Sequence, residues 1–201
     1  MKKSNLIIGM ALAAGLLMSS CSKDLGIIVG TGSIITETIE LDQFSKIRMN
    51  GADNVTIIYG TEQEVKAIGH PNIIDRIETK VENDTWYMEL ERGTYGSYDL
   101  RYEITIPAIE GIYNNGASNI YVEDFVKQQD FELSINGAGN FEGFNMPVEN
   151  CTVKISGLGK CELSVENNLD VDISGSGDVY YKGNPSVSKH ISGLGVIRRV
   201  D

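Results

Sequence analysis

The chain has 201 residues, with 28 acidic and 17 basic side chains and a formal net charge of −11. A protein this acidic is repelled by phosphate backbones, and the sequence has no basic patch with interleaved aromatic residues. Nucleic acid is therefore not expected as a partner, and residues 21–201 are enough for one domain with a hydrophobic core.

The first twenty residues have the parts of an export signal. Lys2 and Lys3 precede an apolar run from Leu6 to Met18, and small residues follow it. The run has 13 residues, which is short for a segment that crosses a bilayer. We therefore predict a signal peptide over residues 1–20.

The signal ends in the sequence LMSSC, which resembles the lipobox of bacterial lipoproteins and would make Cys21 the lipidated first residue. The alternative is an ordinary signal peptide with an incidental cysteine. Without Lys2 and Lys3, 15 basic residues oppose 28 acidic ones, a net charge of −13 that disfavours adhesion to an anionic membrane. The lipid would then be the membrane partner, and the Gly- and Ser/Thr-rich residues 21–34 are predicted to tether it to the fold. We predict an exported protein anchored in the outer membrane, on its surface or periplasmic face.

Residues 35–107 indicate β-strands without a regular repeat. FSKIRMNGADNVTIIYG and EVKAIGHPNIID are interpreted as strands, and IETKVENDTWYMELE as a hairpin that turns at Asn83 and Asp84. YDLRYEITIP is an alternating strand that ends at Pro107. We treat residues 35–201 as one continuous domain.

A glycine-containing motif then recurs every 18 to 21 residues, as NNGASNIYV, INGAGNFEG, ISGLGKCEL, ISGSGDVYY and ISGLGVIRR, with an outlying copy MNGADNVTI. Apolar and polar residues alternate on both sides of the first glycine, which is typical of short strands with one buried face. We call the turn at this glycine the elbow. The elbow glycines are Gly51, Gly116, Gly137, Gly157, Gly175 and Gly193.

Units this short cannot bury an apolar face alone and must stack on one another. The sequence thus predicts an all-β fold, a parallel β-helix with coils of about 18–21 residues and a less regular β-rich N-terminal part. A leucine-rich repeat would need its own leucine spacing and a helical segment, and a sandwich would not need the same elbow in every unit.

The elbows themselves are predicted to be structural. The glycines would supply backbone angles that other residues avoid. The polar residues before them would form a hydrogen-bonded ladder. A phosphate-binding loop is disfavoured because no helix follows. The ladder residues are Asn50, Asn115, Asn136, Ser156, Ser174 and Ser192.

No motif for catalysis, cofactor or metal is evident. The two histidines, His70 and His190, lie in unrelated segments, and no Cys/His spacing favours zinc. One alternative remains: in stacked coils Lys154, Asp172 and His190 would lie about 4.8 Å apart on the outer face. Polysaccharide lyases with parallel β-helices use such outer-face carboxylates with calcium and a basic residue. The competing interpretation is a solvated column of alternating charge.

Two tyrosines are candidates for ligand contact. Tyr95 and Tyr98 lie in the segment RGTYGSYDLRY, and exposed tyrosine beside glycine and serine favours sugar faces and protein partners. Residues 93–98 are therefore the predicted contact loop, although other tyrosines would simply fill β positions.

Cys151 and Cys161 are predicted to remain free. Both would point inward on opposite sides of one elbow, separated by roughly 13 Å along the strand. A disulfide needs Cα atoms within about 7 Å, so both thiols are expected to fill the core.

Residues 38–199 resemble the bacterial family described as putative auto-transporter adhesin, head GIN domain. FSKIRMNGADNVTIIYG, EVKAIGHPNIIDRIETKVENDTWYMELE, YEITIPAIEGIYNNGASNI and the SGSGDV-type elbows carry the resemblance. It implies a right-handed β-helix, commonly on exported lipoproteins of Bacteroidetes-type bacteria, and supplies no ligand or catalytic residue. We therefore predict a non-enzymatic, adhesin-like or scaffolding envelope lipoprotein that binds an unidentified glycan or envelope protein. Its oligomeric state is left open.

Overall fold

The computed structural model describes residues 26–201; the predicted signal peptide, Cys21 and the start of the predicted tether lie outside the described residues. Within this range the protein is all-β, as predicted, with one short helix, α1 (Pro71–Ile74). The strands are β1 (Ile35–Thr38), β2 (Lys46–Met49), β3 (Asn54–Tyr59), β4 (Glu64–Gly69), β5 (Val81–Glu82), β6 (Thr85–Met88), β7 (Leu100–Ile106), β8 (Gly111–Asn114), β9 (Asn119–Glu123), β10 (Gln128–Ile135), β11 (Ala138–Ile155), β12 (Leu158–Ile173), β13 (Ser176–Lys182), β14 (Ser186–Ile191) and β15 (Ile197–Arg199).

These strands form one mixed sheet that curls into a half-barrel. Most neighbours are parallel, but β4 pairs antiparallel with both β1 and β7, and β5 pairs antiparallel with β6. Parallel pairing therefore does not extend through the N-terminal part, which was predicted to be less regular. Only four residues separate β3 from β4, and a connection this short reverses the chain instead of returning it parallel.

The recurring motifs pair in parallel, one repeat apart. Ile135 lies opposite Ile155, which lies opposite Ile173, which in turn lies opposite Ile191. On the other side of the elbow, Phe141, Cys161 and Val179 follow one another in the same way. Like positions thus stack into columns, as the periodicity predicts. Strands β11 and β12 contribute to the columns on both sides of the elbow, and their pairing has register shifts between Gly143 and Pro147 and between Val148 and Asn150.

Inward-facing columns form the core. Phe131 and Phe141 stack with ring centroids 5.5 Å apart. The buried Trp86 donates its indole N–H to the carbonyl of Glu78 at 3.0 Å, so its one polar group has a partner.

Both described cysteines, Cys151 and Cys161, are free and buried, which confirms that they fill the core. Burial raises the pKa of the Cys151 thiol to about 12 and raises that of Cys161 as well. Neither thiol is therefore ionised at neutral pH.

The elbow glycines are required for a different reason from the predicted one. None of them has a positive φ; among described glycines only Gly32, Gly139 and Gly183 do. Instead, a Cβ at Gly157 would lie less than 3.0 Å from the carbonyl oxygen of Gly137, and the same clash recurs at the other stacked elbows. Glycine allows each elbow to rest directly on the carbonyl of the one before it.

The predicted ladder is confirmed for its first four members. Asn115 donates to Asn50 at 2.9 Å, Asn136 to Asn115 at 3.0 Å, and the Ser156 hydroxyl to Asn136 at 2.7 Å. Parallel stacking brings each side chain beside its counterpart, as in the amide ladders of stacked strands.

The N-terminal part confirms the hairpin and corrects one strand. Asn83 and Asp84 both have positive φ, 50° and 59°, as a tight two-residue hairpin turn requires. The segment EVKAIGHPNIID is a strand only to Gly69. A helical turn follows at Pro71, whose fixed φ suits the first position of a helix.

Candidate functional site

A cleft lies where one elbow is missing. Strands β2 and β3 are joined by the four-residue elbow 50–53. The strands paired next to them, β6 and β7, are joined instead by the eleven-residue loop 89–99. The space between this loop and the elbow measures about 290 Å³, and we call it the tyrosine cleft. Its walls include Asp53, Glu89, Glu91, Tyr95, Tyr98 and Tyr102.

The two tyrosines singled out from the sequence both line this cleft. The rings of Tyr95 and Tyr98 meet edge to face with centroids 5.9 Å apart, and both are half-buried. The Tyr95 hydroxyl donates to the carbonyl of Glu91 at 2.7 Å, which fixes its ring. Two backbone hydrogen bonds hold the outer side of the loop. The Ile28 amide donates to the Thr94 carbonyl at 2.8 Å, and the Gly30 amide donates to the Ser97 carbonyl at 2.9 Å. The part of the predicted tether that the structure describes is thus bound to the wall of the cleft.

Asp53, another residue that lines the cleft, was not predicted as a site residue. Only 6% of the residue is exposed, and among residues 26–201 its carboxylate accepts no hydrogen bond and forms no ion pair. No fully buried side-chain oxygen of these residues lacks a partner, so the carboxylate oxygens of Asp53 retain contact with solvent. A Cβ at Gly51 would lie 2.5 Å from its Oδ2, so glycine makes room for the carboxylate. Burial raises the pKa of Asp53 from 3.8 to about 6. Burial, and secondarily the charge of Asp53, raises the pKa of Tyr98.

The backbone at Asp53 is held firmly although its carboxylate is not. Its amide donates to the Ser118 hydroxyl at 3.2 Å, and that hydroxyl donates to the carbonyl of Gly51 at 3.3 Å. The buried Asn114 amide donates to the Ser118 carbonyl at 3.3 Å and accepts from the Gly116 amide at 3.0 Å. The carboxylate is therefore placed by a rigid scaffold and left available to a ligand.

A sequence signal for Asp53 does exist. It lies two residues after an elbow glycine, where the later copies have only small residues. The aligned residues are Ser118, Gly139, Gly159, Gly177 and Gly195. A carboxylate at a position where the other copies have small residues indicates that the surroundings of this elbow differ from those of the later ones.

A larger groove of about 890 Å³ runs along the outer face beside Tyr113 and Glu132. Its charged groups are already matched: Lys154 pairs with Glu132 at 2.9 Å, and the Tyr113 hydroxyl donates to the same carboxylate at 2.9 Å. Lys46 lies 3.6 Å from Glu110. Exposed pairs such as these add little stability and leave no strong demand for a ligand, so the tyrosine cleft is the better candidate site.

Lys154, Asp172 and His190 lie side by side on β11, β12 and β14, in the register expected for the outer column. However, the Lys154 ammonium is bound by Glu132, and this hydrogen bond raises the lysine pKa. A lysine that acts as a base at neutral pH needs a lowered pKa. Within the described range, no group of three or more His, Cys, Asp or Glu side chains is arranged to hold a metal ion.

No helix formed by residues 26–201 has the length and apolarity to cross a membrane.

Comparison with known proteins gives a family and a fold. The family model for putative auto-transporter adhesin, head GIN domain, matches residues 43–143 and 132–185. A crystal structure of a putative adhesin from Bacteroides fragilis aligns with a TM-score of 0.58 at 18% identity, over 86% of this chain and 100% of that one. A putative lipid binding protein from Parabacteroides distasonis aligns with a TM-score of 0.55 at 16% identity, over 87% and 99%. No curated protein matches. The chain belongs to the family of the putative auto-transporter adhesin, head GIN domain.

Proposed function

We propose that this protein is a non-enzymatic lipoprotein of the cell envelope, with an adhesin-like or scaffolding domain that binds glycan or protein at the tyrosine cleft. The observation that carries the proposal is the cleft itself, where paired tyrosine rings lie beside an unpaired, buried carboxylate. Rigid, half-buried aromatic side chains suit recognition because they lose little entropy on binding. The adhesin description of the family supports the same role.

We further propose that the stacked repeats form a right-handed parallel β-helix. Support comes from the one-repeat register of β10, β11, β12 and β14 and from the elbow glycines that stack on successive carbonyls. Connections between parallel strands of one sheet are almost always right-handed, which favours this hand for the coils.

The lipid anchor is proposed at Cys21. Ile28, which is bound to the loop of the cleft, lies seven positions after it in the chain. A fully extended chain of this length reaches about 25 Å, so an anchored protein would hold the cleft near the membrane surface.

Cys21→Ala is expected to release the protein from the membrane fraction or to leave the precursor unprocessed, because no thiol would remain for lipid attachment. Cell fractionation and mass spectrometry measure both outcomes. Cys151→Ala, which changes the same residue type in the core, should fractionate like the wild type. Membrane retention of a normally processed Cys21→Ala protein would contradict lipidation.

The alternative function is a glycan-acting enzyme of the polysaccharide lyase type that uses Lys154, Asp172 and His190. The observation in its favour is their register on adjacent strands. The ion pair between Lys154 and Glu132 weighs against it, because the carboxylate keeps the lysine protonated and a protonated lysine cannot act as a base.

Binding by the purified full-length chain to a glycan array and to envelope proteins of its source bacterium tests the proposed function. We expect saturable binding that is lost in a Tyr95→Ala/Tyr98→Ala double variant, since both rings line the cleft. Tyr121→Ala, which removes an exposed ring from β9, should bind normally. If the double variant bound as the wild type does, the cleft would not be the binding site. The enzymatic function would instead be established if the protein produced unsaturated sugar ends from acidic polysaccharides in the presence of calcium and the Asp172→Ala variant did not.

A further inference from the structure

We infer that the tyrosine cleft binds a primary alkylammonium group, the side chain of a lysine presented by a protein partner. This inference rests on the proposed function and narrows it to one ligand chemistry. It begins with the Asp53 carboxylate, which is nine-tenths buried and has no cationic partner among the described residues. A buried charge is normally paired, and a cationic partner for Asp53 would have to enter from outside through the cleft.

The walls of the cleft suit an ammonium group. Glu89 and Glu91 add two carboxylates from a different segment of the chain, the loop 89–99. A lysine ammonium is a compact point charge with three donors, whereas arginine presents a planar fork that fits a single carboxylate. The rings of Tyr95 and Tyr98 supply aromatic faces, which attract cations.

The charge of the cleft disfavours other ligands. Glu89 accepts a hydrogen bond from Asn50 at 2.7 Å, and Glu91 lies 3.5 Å from Arg76. Arg92 also lines the cleft, so three carboxylates face one cationic lining residue. The excess of negative charge repels phosphate and carboxylate groups, which disfavours phospholipid headgroups and acidic glycans. A neutral sugar would donate hydroxyl groups but would leave the charge of Asp53 uncompensated.

The size of the cleft points to one side chain. Its volume, about 290 Å³, lies at the lower limit for small-molecule sites. A space of this size admits one long, unbranched side chain, and the chain that carries it would remain outside against the loop 89–99.

NMR titration of the full-length chain in detergent tests the inference. The probe is Nα-acetyl-L-lysine methylamide, and the matched control ligand is Nα-acetyl-L-norleucine methylamide, which lacks the ammonium. We expect saturable, millimolar binding of the lysine probe with shifts at the Tyr98 ring, and no saturation by the norleucine probe. Asp53→Asn should weaken binding at least about tenfold. Asp42→Asn, which changes an exposed aspartate, should not alter it.

Circular dichroism of Asp53→Asn checks that the fold is retained, and Glu91→Gln is a second variant, on the exposed loop, that should also weaken binding. Equal binding of both probes, or equal affinity in Asp53→Asn, would overturn the inference. Vesicles of phosphatidylethanolamine distinguish a membrane source of the same ammonium. Asp53-dependent vesicle binding without a response to the lysine probe would overturn the lysine assignment. If the array binding that depends on Tyr95 and Tyr98 persists while the lysine probe fails, the proposed function stands without this ligand.

Discussion

Gly157→Ala is expected to lower the free energy of unfolding by about 3 kcal/mol. The new Cβ would lie less than 3.0 Å from the carbonyl oxygen of Gly137, and that oxygen also accepts a hydrogen bond from Leu158 at 2.9 Å. Because the obstacle is backbone, no side-chain rotation relieves it, and adjacent coils must separate. Urea denaturation followed by circular dichroism measures the loss.

Gly26→Ala is the matched control, because nothing lies within 4 Å of a Cβ at that position. The same substitution there should change the unfolding free energy by no more than about 0.5 kcal/mol. If the Gly157 variant were as stable as the Gly26 variant, the elbows would not rest on one another as described.

Asp53→Asn is expected to stabilise the protein by about 2 kcal/mol at neutral pH. Burial raises the pKa of Asp53 from 3.8 to about 6, and each unit corresponds to about 1.4 kcal/mol. The expected gain in unfolding free energy is smaller than the value that corresponds to the whole pKa shift, because the asparagine amide also loses hydration when it is buried. The pKa of Asp53 is higher in the folded protein than in the unfolded chain. The protonated carboxyl group therefore contributes its full stability below pH 4, and this contribution is lost as the pH rises through 6. The advantage of the variant should therefore vanish below pH 4.

Thermal and urea unfolding between pH 4 and pH 7.5 measure this difference. Asp42→Asn, at an exposed aspartate, should show no such pH dependence. A destabilised Asp53→Asn variant at neutral pH would mean that the carboxylate has a partner in the fold. A more stable Asp53→Asn variant, in contrast, fits a binding site that retains a carboxylate at a cost in folding stability.

The repeats made much of the C-terminal half predictable. Alternation around each elbow correctly predicts the columns and the buried and free Cys151 and Cys161. The ladder is correctly predicted for its first four members, from Asn50 to Ser156. The adjacency of Lys154, Asp172 and His190 follows from the same register. These features depend on local spacing that is repeated many times, so each copy supports the next.

The N-terminal half was less predictable because its pairing is non-local. Strand β4 follows β3 in sequence but pairs with β7, and no periodic pattern indicates which strand lies between them. The cleft depends on the same arrangement, since the loop 89–99 lies under the elbow 50–53 only once β6 and β7 are placed. Tyr95 and Tyr98 could be selected by composition, but the burial of Asp53 beside them required the fold.

The pKa of Asp53 in the ligand-free protein tests the central claim most directly, namely that a buried and unpaired carboxylate forms the base of the tyrosine cleft. Carbon-13 NMR of the aspartate carboxyl groups, with Asp53→Asn used to assign the resonance, gives this value. We expect an inflection near pH 6, because burial disfavours the charged form and no cation compensates for it. An inflection at or below the ordinary value of 3.8 would show that Asp53 is solvated or already paired, and would contradict the account.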